Sequence, residues 1–271
     1  MITITDKEFN QLVSYVKSNY GVNLIEKRTL VVGRLQNILM QKGFRTFSEY
    51  YEYILNDPTG DAIIKLMDKL TTNYTFFMRE VDHFKYYRDF VLPYLTSTLG
   101  SSRDLRVWSA GCSSGEEPYT LAMINLDFFS VKGEQWDSKI LATDISTSAL
   151  ENAMKGIYTS EGIALLPDSW KKIHFKKVDQ NRNIISDRIK NEVIFRRFNL
   201  MNKTFPFKKK FHIIFCRNVM IYFDSKTKDE LIQRFYDNTE HGGYLFIGHS
   251  EFLNTENNGY KYIMPSVYRK E

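Results

Sequence analysis

The segment Leu105–Thr120, LRVWSAGCSSGEEPYT, restricts the fold more than any other part of the chain. A short apolar run gives way to a loop of small residues, then to two adjacent glutamates, a proline and a helical pattern. This is the layout of a strand that feeds a helix through a tight loop at the ligand-bearing end of a parallel sheet. Beyond it strands and helices alternate. Leu105–Trp108, Lys139–Thr143, Phe211–Cys216 and Tyr244–Gly248 read as strands, and Glu116–Phe129, Ser146–Met154 and Ser225–Glu240 as helices. Gly242-Gly243 reads as the turn into its strand. The succession predicts an α/β, Rossmann-like, mostly parallel sheet with helices on both faces. Tyr262–Tyr268 reads as a last strand with no crossover helix before it, so the sheet is expected to end antiparallel.

Residues 157–197 break the alternation. Ile184-Ile185 and Val193–Phe195 read as strand pieces of an inserted antiparallel β subdomain, with Trp170, Ile173 and Phe175 contributing a small local core. Residues 1–99 read as mostly helical. Phe9, Leu12, Val13 and Val16 follow Asp6, a candidate N-cap; Val31, Leu35, Ile38 and Leu39 precede Gly43, a candidate C-cap. Further helices are predicted over Thr46–Leu55, Asp61–Leu70 and Phe84–Leu99. The expected organisation is a helical domain over 1–85 and a second domain over 86–271, with the insertion at about 157–197.

A hydrophobic content of 43% supports a packed core, and no apolar run approaches the roughly 20 residues of a membrane helix. MITITDKEFNQL lacks a basic start followed by an apolar run, so no signal peptide is expected. Cys112 and Cys216 are expected as buried reduced thiols, consistent with a cytoplasmic protein. The five histidines show no ligand spacing, and no metal is expected. A net charge of +5 does not establish nucleic-acid binding. Lys27, Arg28, Arg34, Lys42 and Arg45 occur without an intervening acid. They read as a solvated helix flank or as a docking surface for an acidic partner.

The chemistry is expected beyond the carboxyl ends of the strands. A helix start normally welcomes phosphate, which Glu116 and Glu117 would repel. Hydroxyls, an amino group or a sulfonium would suit them. S-adenosylmethionine carries a ribose, an ammonium and a sulfonium, and no phosphate. Asp144, at the next strand end, is placed to accept from ribose hydroxyls or to cap a helix. In Phe215–Asp224, Asn218 fits a pocket wall or a turn, and Tyr222 fits the same cleft or the core. In TTNYTFFMRE (Thr71–Glu80), Arg79 is suited to fork onto a carboxylate, either a ligand's or a structural one.

TTNYTFFMRE, VWSAGCSSGEEPYTLAM, LATDIS, FHIIFCRNVMIYFD and GYLFIGHSE, in this order, resemble the bacterial chemotaxis receptor methyltransferases of the CheR type, over essentially the whole chain. The resemblance implies a class I SAM-methyltransferase-like fold. It also implies an O-methyltransferase acting on glutamate side chains of methyl-accepting chemoreceptors, with S-adenosylhomocysteine as product. By the same carry-over Asn73, Thr75, Arg79, Glu117, Asp144, Asn199, Leu200, Asn218 and Val219 hold the cofactor, with Asn199 and Leu200 near the adenine. Arg79 and Tyr222 are the implied catalytic residues. The resemblance raises the docking reading of Lys27–Arg45 and implies cytoplasmic work at membrane receptor arrays. Some members bind a receptor's C-terminal pentapeptide tether through a glycine-containing loop of the β subdomain. Here that stretch reads FKKVDQNRNIISDR, without glycine, so docking without the tether is expected. A nicotinamide dehydrogenase shares the fold class but needs a G-x-G-x-x-G that is absent. A non-catalytic SAM-sensing or scaffold protein would have no need of Arg79.

Overall fold

The computed structural model describes residues 2–71, 73–133, 135–253 and 258–271. Four helices come first: α1 (Asp6–Tyr20), α2 (Arg28–Lys42), α3 (Phe47–Leu55) and α4 (Asp61–Leu70). Thr5, rather than Asp6, caps α1: its hydroxyl accepts from the Glu8 amide while Glu8 returns a bond to the Thr5 amide, a capping box. Gly43 ends α2 in the left-handed conformation as expected. A second helical run starts at Val81, three residues before the expected start. It comprises α5 (Val81–Tyr86), a π-helical turn (Tyr87–Val91) and α6 (Leu92–Leu99). Pro93, which has no N–H for the preceding turn, is the second residue after the π-helical turn.

The remaining elements are β1 (Val107–Ala110), α7 (Glu116–Lys132), β2 (Ile140–Asp144), α8 (Thr147–Lys155), β3 (Ile157–Thr159), α9 (Asp168–His174), β4 (Phe175–Lys177), β5 (Arg182–Ile185), α10 (Asp187–Lys190), β6 (Val193–Arg197), β7 (Phe211–Cys216), α11 (Ser225–Asp237), β8 (Thr239–Ile247), β9 (Tyr260–Met264) and β10 (Val267–Lys270). The main sheet has the order β6-β2-β1-β7-β8-β10-β9. It is parallel from β6 to β8 and antiparallel through β10 and β9. This is the class I SAM-methyltransferase-like architecture with an antiparallel end.

Several local expectations change. β6 pairs parallel with β2 in the main sheet, so only β3, β5 and β4 form the small antiparallel sheet. Its alternating burial resembles an antiparallel strand because it lies at the sheet edge. Ile173 is 63% exposed and takes no part in a local core, whereas Phe175 is buried. The stretch Tyr262–Tyr268 is a hairpin turning at Ser266 (φ 63°), not one strand. Gly242-Gly243 lies inside β8, where the pairing with β7 shifts register. A Cβ on Gly243 would meet the carbonyls of Glu240 and His212 at 2.8 Å. The glycine pair therefore marks a bulge inside the strand.

β1 and β7 are buried along their whole length, as strands covered on both faces must be. Their side chains sort by alternation except at Phe211, the first residue of β7, beyond which the pairing with β8 shifts register. Trp108, Ala110, Phe211, Ile214 and Cys216 join α1–α4 and α11 in one core, while Val107, Ile213 and Phe215 join α5–α7 in another. Trp108 is fully buried, ringed by Phe205, Phe207, Phe211 and Phe235, and its indole N–H donates to the Thr143 hydroxyl (2.9 Å). The N-terminal helices thus share an apolar core with one face of the sheet. No described helix is long and apolar enough to cross a membrane.

Candidate functional site

An open cleft of about 1010 Å³ lies at the carboxyl ends of β1, β2 and β7, lined also by Thr71, by residues of the segment Asn73–Arg79, and by Tyr20 and Val22 at and just beyond the end of α1. All ten expected site residues line it: Asn73, Thr75, Arg79, Glu117, Asp144, Asn199, Leu200, Asn218, Val219 and Tyr222.

The loop after β1 is tied to the end of β2. The amides of Gly111 and Cys112 donate to the Thr143 carbonyl, and the Ser113 amide donates to Asp144 Oδ2 (2.8 Å). These N–H groups are therefore not a phosphate cradle. Gly111 is at φ 87°, and a Cβ there would meet Val219 Cγ2 at 2.4 Å, so only glycine fits. Asp144 Oδ1 accepts from the Ser146 amide (2.9 Å), and Ser146, not Asp144, caps α8. The Asp144 carboxylate has backbone partners in Ser113, Ser146 and Ile145, which leaves acceptor capacity for a ligand hydroxyl. Burial pushes the Asp144 carboxyl up, and the amides of Ser146 and Ser113 only partly offset it.

The two glutamates separate. Glu116 accepts from the Ser114 hydroxyl (2.7 Å) and does not line the cleft. Glu117 faces the cleft, with Oε1 accepting from Ser109 Oγ (2.7 Å) and Oε2 from Arg217 Nη1 (3.3 Å). Burial raises the Glu117 carboxyl, against the pull of Arg217 and Ser109. Arg79, which also lines the cleft, donates from Nη1 to the Tyr74 carbonyl (2.9 Å), which orients the planar fork. Asn73 donates to Ser146 Oγ (3.3 Å) and its carbonyl accepts from Ser113 Oγ (2.9 Å), tying the segment to the sheet's loops. Asn199 Nδ2 reaches the Asn19 carbonyl (2.8 Å) and the Tyr222 carbonyl accepts from the Asn23 amide, so the helical domain is stitched to the same wall.

Arg217, Glu80 and Glu251 escape a reading of the sequence. Glu80 accepts from Arg217 Nε (3.3 Å) and Nη2 (3.2 Å), Asn218 Nδ2 (3.1 Å) and the His249 amide (3.2 Å). Burial would raise the Glu80 carboxyl, yet Arg217, His249 and Asn218 together hold it below the usual range. Arg217 also donates to the Arg79 carbonyl. Glu251 accepts from the amides of Gly248 (2.6 Å), Asn218 (3.0 Å) and Ile221 (3.1 Å). The available signal was a charge inside an apolar motif: Arg217 in FCRNVM and Glu251 after GHS. Met78, Glu80, Ser113 and Asn218 all have positive φ without being glycine, a concentration of strained backbone at one site. His83 and His249, which show no spacing in sequence, meet Glu80 with ligand atoms within 4.8 Å of one another. Four donor atoms, two of them from Arg217, already occupy the Glu80 carboxylate, which makes it part of an ion-pair network. The Cys112 and Cys216 thiols are buried and pushed up, and stay protonated.

The basic stretch is partly used within the helical domain. Arg34 donates to the carbonyls of Lys69, Leu70 and Thr71 at the end of α4, and Arg28 pairs with Asp6 and the Ile4 carbonyl. Lys27, Lys42 and Arg45 are exposed, with Lys42 over the Tyr53 ring.

Two family models match the chain: "CheR methyltransferase, all-alpha domain" over residues 7–71 and "CheR methyltransferase, SAM binding domain" over 73–268. A chemotaxis protein methyltransferase of Borreliella burgdorferi is 42% identical over 99% of this chain and 96% of its own length. That of Escherichia coli is 33% identical over 92% of this chain and 86% of its own. Chemotaxis protein methyltransferase 1 of Pseudomonas aeruginosa is 32% identical over 99% of both. The cofactor is S-adenosylmethionine, and the loop geometry agrees: the amides that would bind phosphate are engaged, and two acids face the cleft.

Proposed function

The chain belongs to the CheR methyltransferase family, as a chemotaxis protein methyltransferase with a SAM-binding domain, and from that premise we propose that its acceptors are glutamate side chains of chemoreceptors. The observation that carries the reading is Arg79, a guanidinium that lines the same cleft as Glu117 and Asp144. That arrangement offers an orienting cation to an incoming carboxylate and hydrogen-bond acceptors to a cofactor.

A glutamate carboxylate, with an ordinary pKa of about 4.3, is ionised at neutral pH and is itself the nucleophile. No residue need remove a proton. S-adenosylmethionine supplies, when bound, an electrophilic methyl group on a sulfonium. Glu117 and Asp144 hold its polar groups, with Asn73, Thr75, Asn199, Leu200, Asn218 and Val219 completing the pocket. Arg79 aligns the carboxylate, and Tyr222 borders the same space. Alignment is the main task, because a well-oriented pair reacts as one molecule. Transfer neutralises both the carboxylate and the sulfonium, so Arg79 must orient without binding tightly: ground-state stabilisation lost in the transition state slows the reaction.

The test is methyl transfer from labelled S-adenosylmethionine to receptor cytoplasmic fragments. The expected product is a base-labile methyl ester; label that survives mild base overturns glutamate as the acceptor.

The docking surface is proposed on Lys27, Lys42 and Arg45, against the acidic methylation helices of a receptor at cytoplasmic arrays. Arg34 and Arg28 belong to the support of that surface, since their guanidinium groups hold α4 and the start of α1. Reversing Lys42 and Arg45 to glutamate is expected to raise the receptor KM about tenfold at low salt and to flatten its salt dependence, with kcat at saturation within about twofold. An unchanged KM rejects the surface. The β4–β5 hairpin is closed by Asp179, which accepts from the Asn181 and Arg182 amides, and the same receptor fragments are expected to be methylated with or without a C-terminal pentapeptide.

A further inference from the structure

The charged residues that line the cleft are Arg79, Arg217, Glu117 and Asp144, two cations and two acids. Their charges cancel. Arg217 is nearly fully buried, with its side chain 2% exposed, and it stands between two carboxylates. Its Nη1 reaches Glu117 Oε2 at 3.3 Å, while Nε and Nη2 reach Glu80 Oε2 at 3.3 and 3.2 Å. Glu80 does not line the cleft and touches it only through Arg217 and Asn218. His83 lies behind this pair, its Nδ1 3.5 Å from Glu80 Oε2. Burial, followed by Arg217, pushes its pKa down to about 4, so it adds no charge at neutral pH. With both carboxylates ionised against Arg217, the Glu80–Arg217–Glu117 triad carries one net negative charge, and that charge comes to the cleft from outside its lining.

S-adenosylmethionine and S-adenosylhomocysteine differ by one methyl group and by one positive charge on sulfur. We propose that Glu80 is a specificity-determining residue: by neutralising Arg217 it leaves Glu117 as an uncancelled anion toward the cofactor, which adds a preference for the cationic substrate over the uncharged-sulfur product. The inference rests on Glu117 facing the cofactor, as proposed above. Glu80 acts through Arg217 rather than by contact with the ligand, and its position is held independently by Asn218 Nδ2 and the His249 amide. A unit charge several ångströms away in a partly buried site acts on another charge with an energy worth about a factor of ten in affinity.

The experiment is calorimetric titration of the full chain with each of the two ligands, read as the ratio of Kd for S-adenosylhomocysteine to Kd for S-adenosylmethionine. Glu80→Gln is expected to lower this ratio about tenfold, or about 1.4 kcal/mol. Glu80→Asp keeps the charge and is expected to stay within about twofold of the native ratio. Arg217→Gln leaves both acids uncancelled and is expected to raise the ratio about tenfold. The opposite signs are the decisive feature. A purely structural role weakens both ligands alike and leaves the ratio near its native value in both variants, and that result, or a shift of the same sign in both, overturns the proposal. If Glu80→Gln is too unstable to purify, Glu80→Asp and Arg217→Gln still decide it. The readout uses no acceptor, so its failure leaves the glutamate reading untouched. An Asp144→Asn protein that loses cofactor affinity while Glu80→Gln keeps the native ratio rejects this inference alone.

Discussion

Replacing Arg79 by lysine is expected to lower kcat for receptor methylation about 100-fold, with the Kd for S-adenosylmethionine within about threefold of the native value. Lysine keeps the positive charge and nearly the same reach. It loses the planar fork that the Tyr74 carbonyl orients from one edge. A point charge attracts the acceptor carboxylate but does not fix its plane, and an attack that must line up oxygen, carbon and sulfur depends on that plane. The loss therefore belongs in kcat and not in cofactor binding. Single-turnover methylation with saturating cofactor separates the two. A kcat within about threefold of native would mean that Arg79 contributes charge only, and the orienting role would be discarded.

The second large effect is expected at Asp144. In Asp144→Asn one carboxylate oxygen becomes an NH2 group facing the Ser113 or the Ser146 amide, donor against donor. Leaving a buried N–H unpaired costs about 1–3 kcal/mol, and a lost bond to a ribose hydroxyl adds to it. Together these raise the Kd for S-adenosylmethionine about 100-fold, measurable by calorimetry. Glu116→Gln is the matched control. Glu116 sits one residue from Glu117 but is turned to Ser114 and away from the cleft, so its Kd is expected to stay within about twofold. Equal losses in the two variants would mean that the acids act through the stability of the β1–α7 corner and not through the ligand.

The legible parts of the site are those where one residue's chemistry is at odds with its neighbours. Two glutamates at a helix start and an aspartate at the end of an apolar strand are both conspicuous, and from them Glu117 and Asp144 reach the cleft. Asn199 is legible by resemblance only: its side chain is spent on the Asn19 carbonyl, 180 residues away in sequence, a contact no local pattern announces. Arg217 is harder. A cation beside an apolar strand looks like a surface residue until Glu80 and Glu117 are seen to close on it. Arg34 fails in the opposite way: its charge suggests an outward role, yet it holds three carbonyls at the end of α4. The fold follows the same division. Long buried strands and capped helices follow from periodicity and end residues. The bulge at Gly242-Gly243, the hairpin at Ser266 and the attachment of β6 to the main sheet depend on partners distant in sequence.

The wall formed by Tyr20 and Val22 has a thermodynamic corollary. Those residues end the helix whose start is braced against Arg28, next to the surface proposed to meet the receptor. Helix α1 therefore touches both ligands' territory, at opposite ends of one rigid rod about 22 Å long by the usual rise per residue. Any factor by which receptor contact changes cofactor affinity through this rod must equal the factor by which the cofactor changes receptor affinity. A substitution along α1 that changes this coupling therefore changes it by the same factor whichever of the two ligands is varied.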